Sequence, residues 1–172
     1  VYALSEALDK MLKAPKCHLF RGIAADISEK LYFPGKDIFW PAFTSTTDEK
    51  DLMVSFALKV LQDGGTVCTI VMLKDVTNAV DIQAVNAFGE SEFLLPANSH
   101  FIVSSIEKDW KKGRDMFTFI TNHEAPQGLH VNILVMDFKP PQPKDHVFFP
   151  LTAPGSSTLG SAYNPTATTT TS

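Results

Sequence analysis

The sequence predicts an α+β domain, with its helices gathered early in the chain and its strands gathered late. Three observations carry this. Apolar residues recur at helical spacing at Leu4, Ala7, Leu8, Met11 and Leu12, and again at Met53, Phe56, Ala57 and Val60. Val67–Leu73 is a nearly continuous apolar run, the pattern of a strand buried on both faces. After it come further segments of strand character at Glu92–Leu95, His100–Ile106, Met116–Thr121 and Val131–Phe138. With 44% hydrophobic and 20% charged residues among 172, the chain has the apolar content to build one core.

In chain order, the opening amphipathic helix ends at Pro15. His18–Arg21 reads as a short strand, and Gly22 after it permits a turn or a close approach of backbone to a ligand. Residues 24–40 read as a long loop, rich in the stacking groups Tyr32, Phe33, Phe39 and Trp40. Phe43–Thr47 is a hydroxyl-rich strand. Asp48 is expected to cap the next helix, with Glu49 and Asp51 favourable in its first turn and Gly64-Gly65 ending it. Composition changes after Phe138: six of the eleven prolines lie between Pro140 and Pro165, and the chain ends in Thr168–Thr171 and Ser172. This divides the chain into a domain at 1–138 and a Pro/Ser/Thr-rich tail or linker at 139–172.

Net charge is −4, so the electrostatic footprint of a nucleic-acid binder is missing. No apolar run reaches membrane-spanning length. No targeting signal is recognisable, although the chain opens on Val1. Asn164 is followed by Pro165, which leaves no usable N-glycosylation acceptor and disfavours a heavily glycosylated ecto-enzyme; intracellular and secreted settings both stay open. Cys17 and Cys68 could form one disulfide, but two reduced thiols are the commoner arrangement. The histidines are scattered and form no ligand pair, so no metal is expected.

The stretch with most chemical content is Phe88–Pro96. Glu90 and Glu92 lie two apart before an apolar run. On a strand they share a face and Ser91 takes the other. Close carboxylates repel unless a cation or ligand answers them. They also suit stabilisation of an oxocarbenium-like sugar centre and movement of protons around it. The plain alternative is an exposed strand edge with two solvated acids.

Three motifs occur in order: Phe20-Arg21-Gly22, Ser45-Thr46-Thr47 and Glu90-Ser91-Glu92 followed by Leu95-Pro96. Together they resemble the arginine-serine-glutamate class of mono-ADP-ribosyltransferases, a class with toxin members, over residues 1–138. The resemblance implies two packed β-sheets forming an NAD cleft with flanking N-terminal helices. It also implies NAD as substrate without a metal, and an arginine-bearing protein as target. Site roles follow residue by residue. Arg21 would hold the pyrophosphate with its planar fork. Gly22 would present backbone to the nicotinamide amide. Ser45 would fix the ribose and orient Glu92, while Thr46 and Thr47 brace the strand. Phe56, eleven residues after Ser45, would stack on the nicotinamide. Glu92 would stabilise the charge developing on the ribose, and Glu90 would act as base toward the guanidinium. The usual third position of the central motif is Ser; Thr47 keeps the hydroxyl.

Two rival functions keep the same fold. An NAD glycohydrolase would need Glu92 but no base for arginine. A catalytically dead NAD- or protein-binding module would need neither, and the presence of Arg21, Ser45 and Glu92 argues against it.

Overall fold

Strand β4, Val67–Val76, organises the fold because both of its faces are apolar. It runs parallel to β8, His130–Lys139, and antiparallel to β1, Cys17–Ile23. Strand β8 pairs antiparallel with β7, Ser99–Glu107, which pairs with the edge strand β2, Asp37–Trp40. The resulting five-stranded order is β1-β4-β8-β7-β2. A smaller antiparallel sheet joins β3 (Thr44–Thr46), β6 (Phe93–Leu95) and β5 (Val80–Asp81) in the order β3-β6-β5. This computed structural model describes residues 13, 15–85 and 91–140, all within one compact unit. Among them are two α-helices, α1 at Lys50–Gln62 and α2 at Trp110–Thr121, and a 3₁₀ turn at Gln83–Val85. The α+β class and the two-sheet arrangement are as expected, but the helices are not gathered early: three strands precede α1, and α2 lies between β7 and β8.

Alternation along the central strands builds two cores. Leu19, Val71, Leu73, Leu134 and Met136 face Phe93, Leu95 and Ala79, filling the space between the sheets. Phe20, Ile70, Val131 and Ile133 point the other way and pack against Met53, Ala57 and Val60 of α1 and Phe117 and Ile120 of α2. The backbone of α2 lies close on the sheet at Gly113. A β-carbon there would stand 2.1 Å from the Val131 carbonyl oxygen.

Several expectations change. Met116–Thr121 is the second half of α2, not a strand. Its buried residues Gly113, Phe117, Ile120 and Thr121 follow helical spacing, and the Asp109 side chain caps it by accepting from the Lys111 and Lys112 amides. The loop expected over 24–40 ends in β2, whose Ile38 and Trp40 pack on the inter-sheet core while Phe39 faces out. Asp48 does not cap α1. Glu49 is the N-cap residue and makes no side-chain capping bond, while the Asp48 carboxylate accepts from Ser91. The Thr47 hydroxyl instead accepts from the Glu49 amide, at 3.0 Å. The strand at Glu92–Leu95 begins only at Phe93. Cys17 and Cys68 are both free thiols. The opening helix at Leu4–Leu12, Glu90 and the tail beyond Pro140 lie outside the described residues.

Candidate active site

The two sheets meet where β3 ends. Thr44, Ser45 and Thr46 pair with Leu95, Leu94 and Phe93. At Thr47 the backbone changes partner. Its carbonyl accepts from the Phe20 amide at 2.7 Å and its amide donates to the Phe20 carbonyl at 3.0 Å. That bridge brings β1 of the large sheet beside β3 of the small one. Arg21, next to Phe20, is thereby placed beside Ser45, next to Thr46.

A cavity of about 560 Å³ opens at this junction, within the usual range for small-molecule sites. Six of the eight candidate residues line it: Arg21, Gly22, Ser45, Thr46, Thr47 and Glu92. The side chains connect. Arg21 donates through Nη1 to the Ser45 carbonyl oxygen at 2.9 Å. The Ser45 hydroxyl donates to Glu92 Oε1 at 2.6 Å. Thr46 is buried and donates its hydroxyl to the Phe93 carbonyl at 2.8 Å, locking β3 to β6 next to Glu92. The Glu92 carbonyl accepts from the Ile82 amide at 2.9 Å.

The parity of β3 explains this distribution. Thr44 and Thr46 turn into the protein and Ser45 turns out. A carboxylate with a hydroxyl donor and a guanidinium beside it forms a polar wall with both signs of charge. Arg21 commits one nitrogen to the Ser45 carbonyl, and its fork carries further donors suited to an anionic oxygen.

Phe56 is not among the lining residues. Its ring lies against Gly22, on the side where a side chain would project; a β-carbon at Gly22 would fall 2.4 Å from Phe56 Cδ1. Gly22 is thus required by the packing of α1 on β1. Phe20, Leu52, Met53 and Ser91 line the cavity as well. Phe20 is legible only as the aromatic of the Phe20-Arg21-Gly22 motif and Met53 only as an apolar helix-face position, and nothing in the sequence separates Leu52 from an ordinary helix position. Ser91 was expected on the opposite face from Glu92. Because strand geometry starts at Phe93, alternation does not extend back to this pair, and both residues border the same cavity.

No nucleophilic cysteine accompanies the site. Burial raises the Cys68 thiol to about 11. Cys17 is also raised, first by burial and then by the negative charge of Asp48. Among the described residues, no group of histidine, cysteine or carboxylate side chains is placed to hold a metal ion, and no helix is long and apolar enough to cross a membrane.

No protein-family model matches this chain, and no curated protein matches it in sequence. Solved structures do match it in fold. The ATR domain of Salmonella SpvB aligns at a TM-score of 0.59 with 16% identity, covering 81% of this chain and 70% of that one. The catalytic domain of VahC from Aeromonas hydrophila aligns at 0.56 with 16% identity, over 80% and 68% of the two chains. The Vis toxin, an ADP-ribosyltransferase from Vibrio splendidus, aligns at 0.54 with 17% identity; 81% of this chain is covered but only 55% of Vis. At these identities the fold is what is shared: the chain has the ADP-ribosyltransferase fold.

Proposed function

We propose that this chain is a mono-ADP-ribosyltransferase that moves ADP-ribose from NAD to an arginine side chain of a target protein and releases nicotinamide. Residues 1–138 form its catalytic domain and 139–172 a tail. The observation that carries the reading is the 2.6 Å bond from Ser45 to Glu92, with Arg21 anchored to the Ser45 carbonyl, in a cavity on this fold. Three residues from three separate strand regions converge in the order the motifs require.

The roles follow from charge. Cleavage of the nicotinamide–ribose bond develops positive charge at the ribose carbon. Glu92 faces that charge, held by the Ser45 hydroxyl so that no reorganisation is needed as the charge grows. Arg21 answers the pyrophosphate with a permanent charge. Gly22 presents its backbone on the nicotinamide side, and the Phe56 ring packed against it keeps that strand in place. Glu90, two residues before Glu92, receives the proton of the attacking guanidinium. Arginine is the acceptor this pair of carboxylates suits, because a guanidinium is cationic and needs both binding and deprotonation. Vis, which shares the fold, has been solved in complex with agmatine, a compound that carries a guanidinium group.

The test measures nicotinamide release and agmatine modification in the same samples. Glu92→Gln keeps the shape and loses the charge, and is expected to reduce both by about 100- to 1000-fold. Glu90→Gln is expected to lose agmatine modification while retaining NAD hydrolysis. Hydrolysis without any agmatine modification by the wild-type chain would replace this reading with an NAD glycohydrolase. No nicotinamide release at all would leave a binding module.

A further inference from the structure

Ser91 and Asp48 have no part in the roles above, yet they sit just past the end of the β3–β6 backbone ladder. The β3–β6 register pairs Thr46 with Phe93. Extended by one step it sets Thr47 opposite Glu92, and by two steps Asp48 opposite Ser91. The backbone ladder does not follow, because Thr47 has turned its amide and carbonyl to Phe20. A side-chain bond stands in its place: the Ser91 hydroxyl donates to Asp48 Oδ1 at 2.6 Å. A hydrogen bond to a charged acceptor is the stronger kind. It joins the residue before Glu92 to the residue after Thr47.

We propose that Ser91 and Asp48 form a clasp that positions Glu92. This deepens the function proposed above and rests on it. Glu92 itself is held, among its contacts, by its carbonyl bond to Ile82 and its carboxylate bond to Ser45. The clasp adds a restraint at the residue before it, and Ser91 itself borders the cavity. Both are positioning residues: they act through Glu92 and through the approach of the acceptor. Small misplacement of a reacting group is costly in rate even when ligand binding is hardly changed.

The experiment is steady-state nicotinamide release from NAD by the full chain and its variants. Ser91→Ala and Asp48→Ala are each expected to lower kcat about tenfold with KM for NAD within about twofold. The double variant should be no slower than either single one, because one bond is removed in all three. Ser91→Thr keeps the hydroxyl and should recover most of the rate. Asp48→Asn keeps an acceptor oxygen and should be milder than Asp48→Ala. Should Ser91→Ala fail to fold, the Asp48→Asn and Asp48→Ala pair carries the comparison. A wild-type-like kcat in Ser91→Ala, or additive losses in the double variant, overturns the clasp while leaving the proposed function intact. A wild-type chain that releases no nicotinamide overturns that function, and the clasp with it.

Discussion

At residue scale, packing alone demands a glycine at position 22, where the proposed function also wants bare backbone. Its missing side chain leaves room for Phe56, whose Cδ1, Cε1 and Cγ would stand 2.4, 2.5 and 2.5 Å from a β-carbon at Gly22. Because Cγ is among them, rotating the ring end away cannot relieve the clash; α1 or β1 must move. Gly22→Ala is therefore expected to cost about 1–3 kcal/mol in urea unfolding and to raise KM for NAD. Pairing it with Phe56→Ala should recover most of the unfolding midpoint relative to Phe56→Ala alone, and no such relief would show that the strain lies elsewhere. Sequence reading pointed to Arg21, Ser45 and Glu92, which line one cavity, because the roles proposed for them demand particular chemical groups: a planar cation, a small hydroxyl, a carboxylate. It did not reach Leu52 or Met53, since an apolar side chain lining a cavity carries the same signature as one in the core. Asp48 was legible as a capping residue type, but its oxygen serves Ser91, a partner 43 residues away that only the fold supplies.

At the scale of elements, α2 is where local signals conflict. Met116-Phe117-Thr118-Phe119-Ile120-Thr121 consists mainly of aromatic and β-branched residues, and reads as a strand on propensity. Tertiary packing decides otherwise. Phe117 and Ile120 fill the core under the helix while Phe119, 89% exposed, takes the solvent face. The deciding marks were Asp109 before Trp110 and the spacing of Gly113, Phe117 and Ile120. Gly113 also yields a prediction whose sign two effects contest. Replacing a helical glycine by alanine ordinarily gains about 1 kcal/mol in helix propensity. Here the new β-carbon would lie 2.1 Å from the Val131 carbonyl oxygen, a backbone atom of central strand β8 that cannot step aside. Forcing α2 off the sheet opens contacts along Phe117 and Ile120 as well. Gly113→Ala should thus destabilise by at least about 2 kcal/mol net, read as a lower urea midpoint. A neutral or stabilising result would mean that α2 is not seated this closely. Strand β4 was legible for the opposite reason: buried on both faces, it has no competing pattern to read.

At the scale of the whole molecule, acidic side chains tie together parts of the chain that lie far apart in sequence. Asp26, on the segment after β1, accepts from Lys108 Nζ at 2.7 Å and from buried Asn132 of β8 at 2.9 Å. Lys108 also donates to the Ile27 carbonyl, and Thr69 of β4 donates to the Ala25 carbonyl at 2.8 Å. The segment leaving Arg21 and Gly22 is in this way fastened to β4, β8 and the end of β7. None of it was visible in the sequence, because the partners are as much as 106 positions apart. Its titration gives a signed expectation. The Lys108 hydrogen bond is the main cause that holds Asp26 below the ordinary carboxylate value. Asp37 is lowered chiefly by the His100 hydrogen bond, Asp109 by the Lys112 amide and Asp137 by the Ser104 hydroxyl. A carboxylate whose folded pKa lies below its unfolded one binds fewer protons in the folded state. Its contribution to stability is complete above the unfolded value near 3.8 and is lost as pH falls through the folded value. All four have the same sign, so stability should hold from neutrality to about pH 5 and then decline steadily with acid. Asp26→Asn keeps an acceptor for Asn132 but gives up the charge facing Lys108. It should be less stable at pH 7 and show a shallower decline below pH 4, the two curves converging in acid. Urea midpoints for both proteins across pH 2.5–7 measure this. Parallel curves would show that Asp26 titrates alike in the folded and unfolded chain, and that the fastening of the Arg21–Gly22 segment rests on Thr69 and the Lys108–Ile27 contact instead.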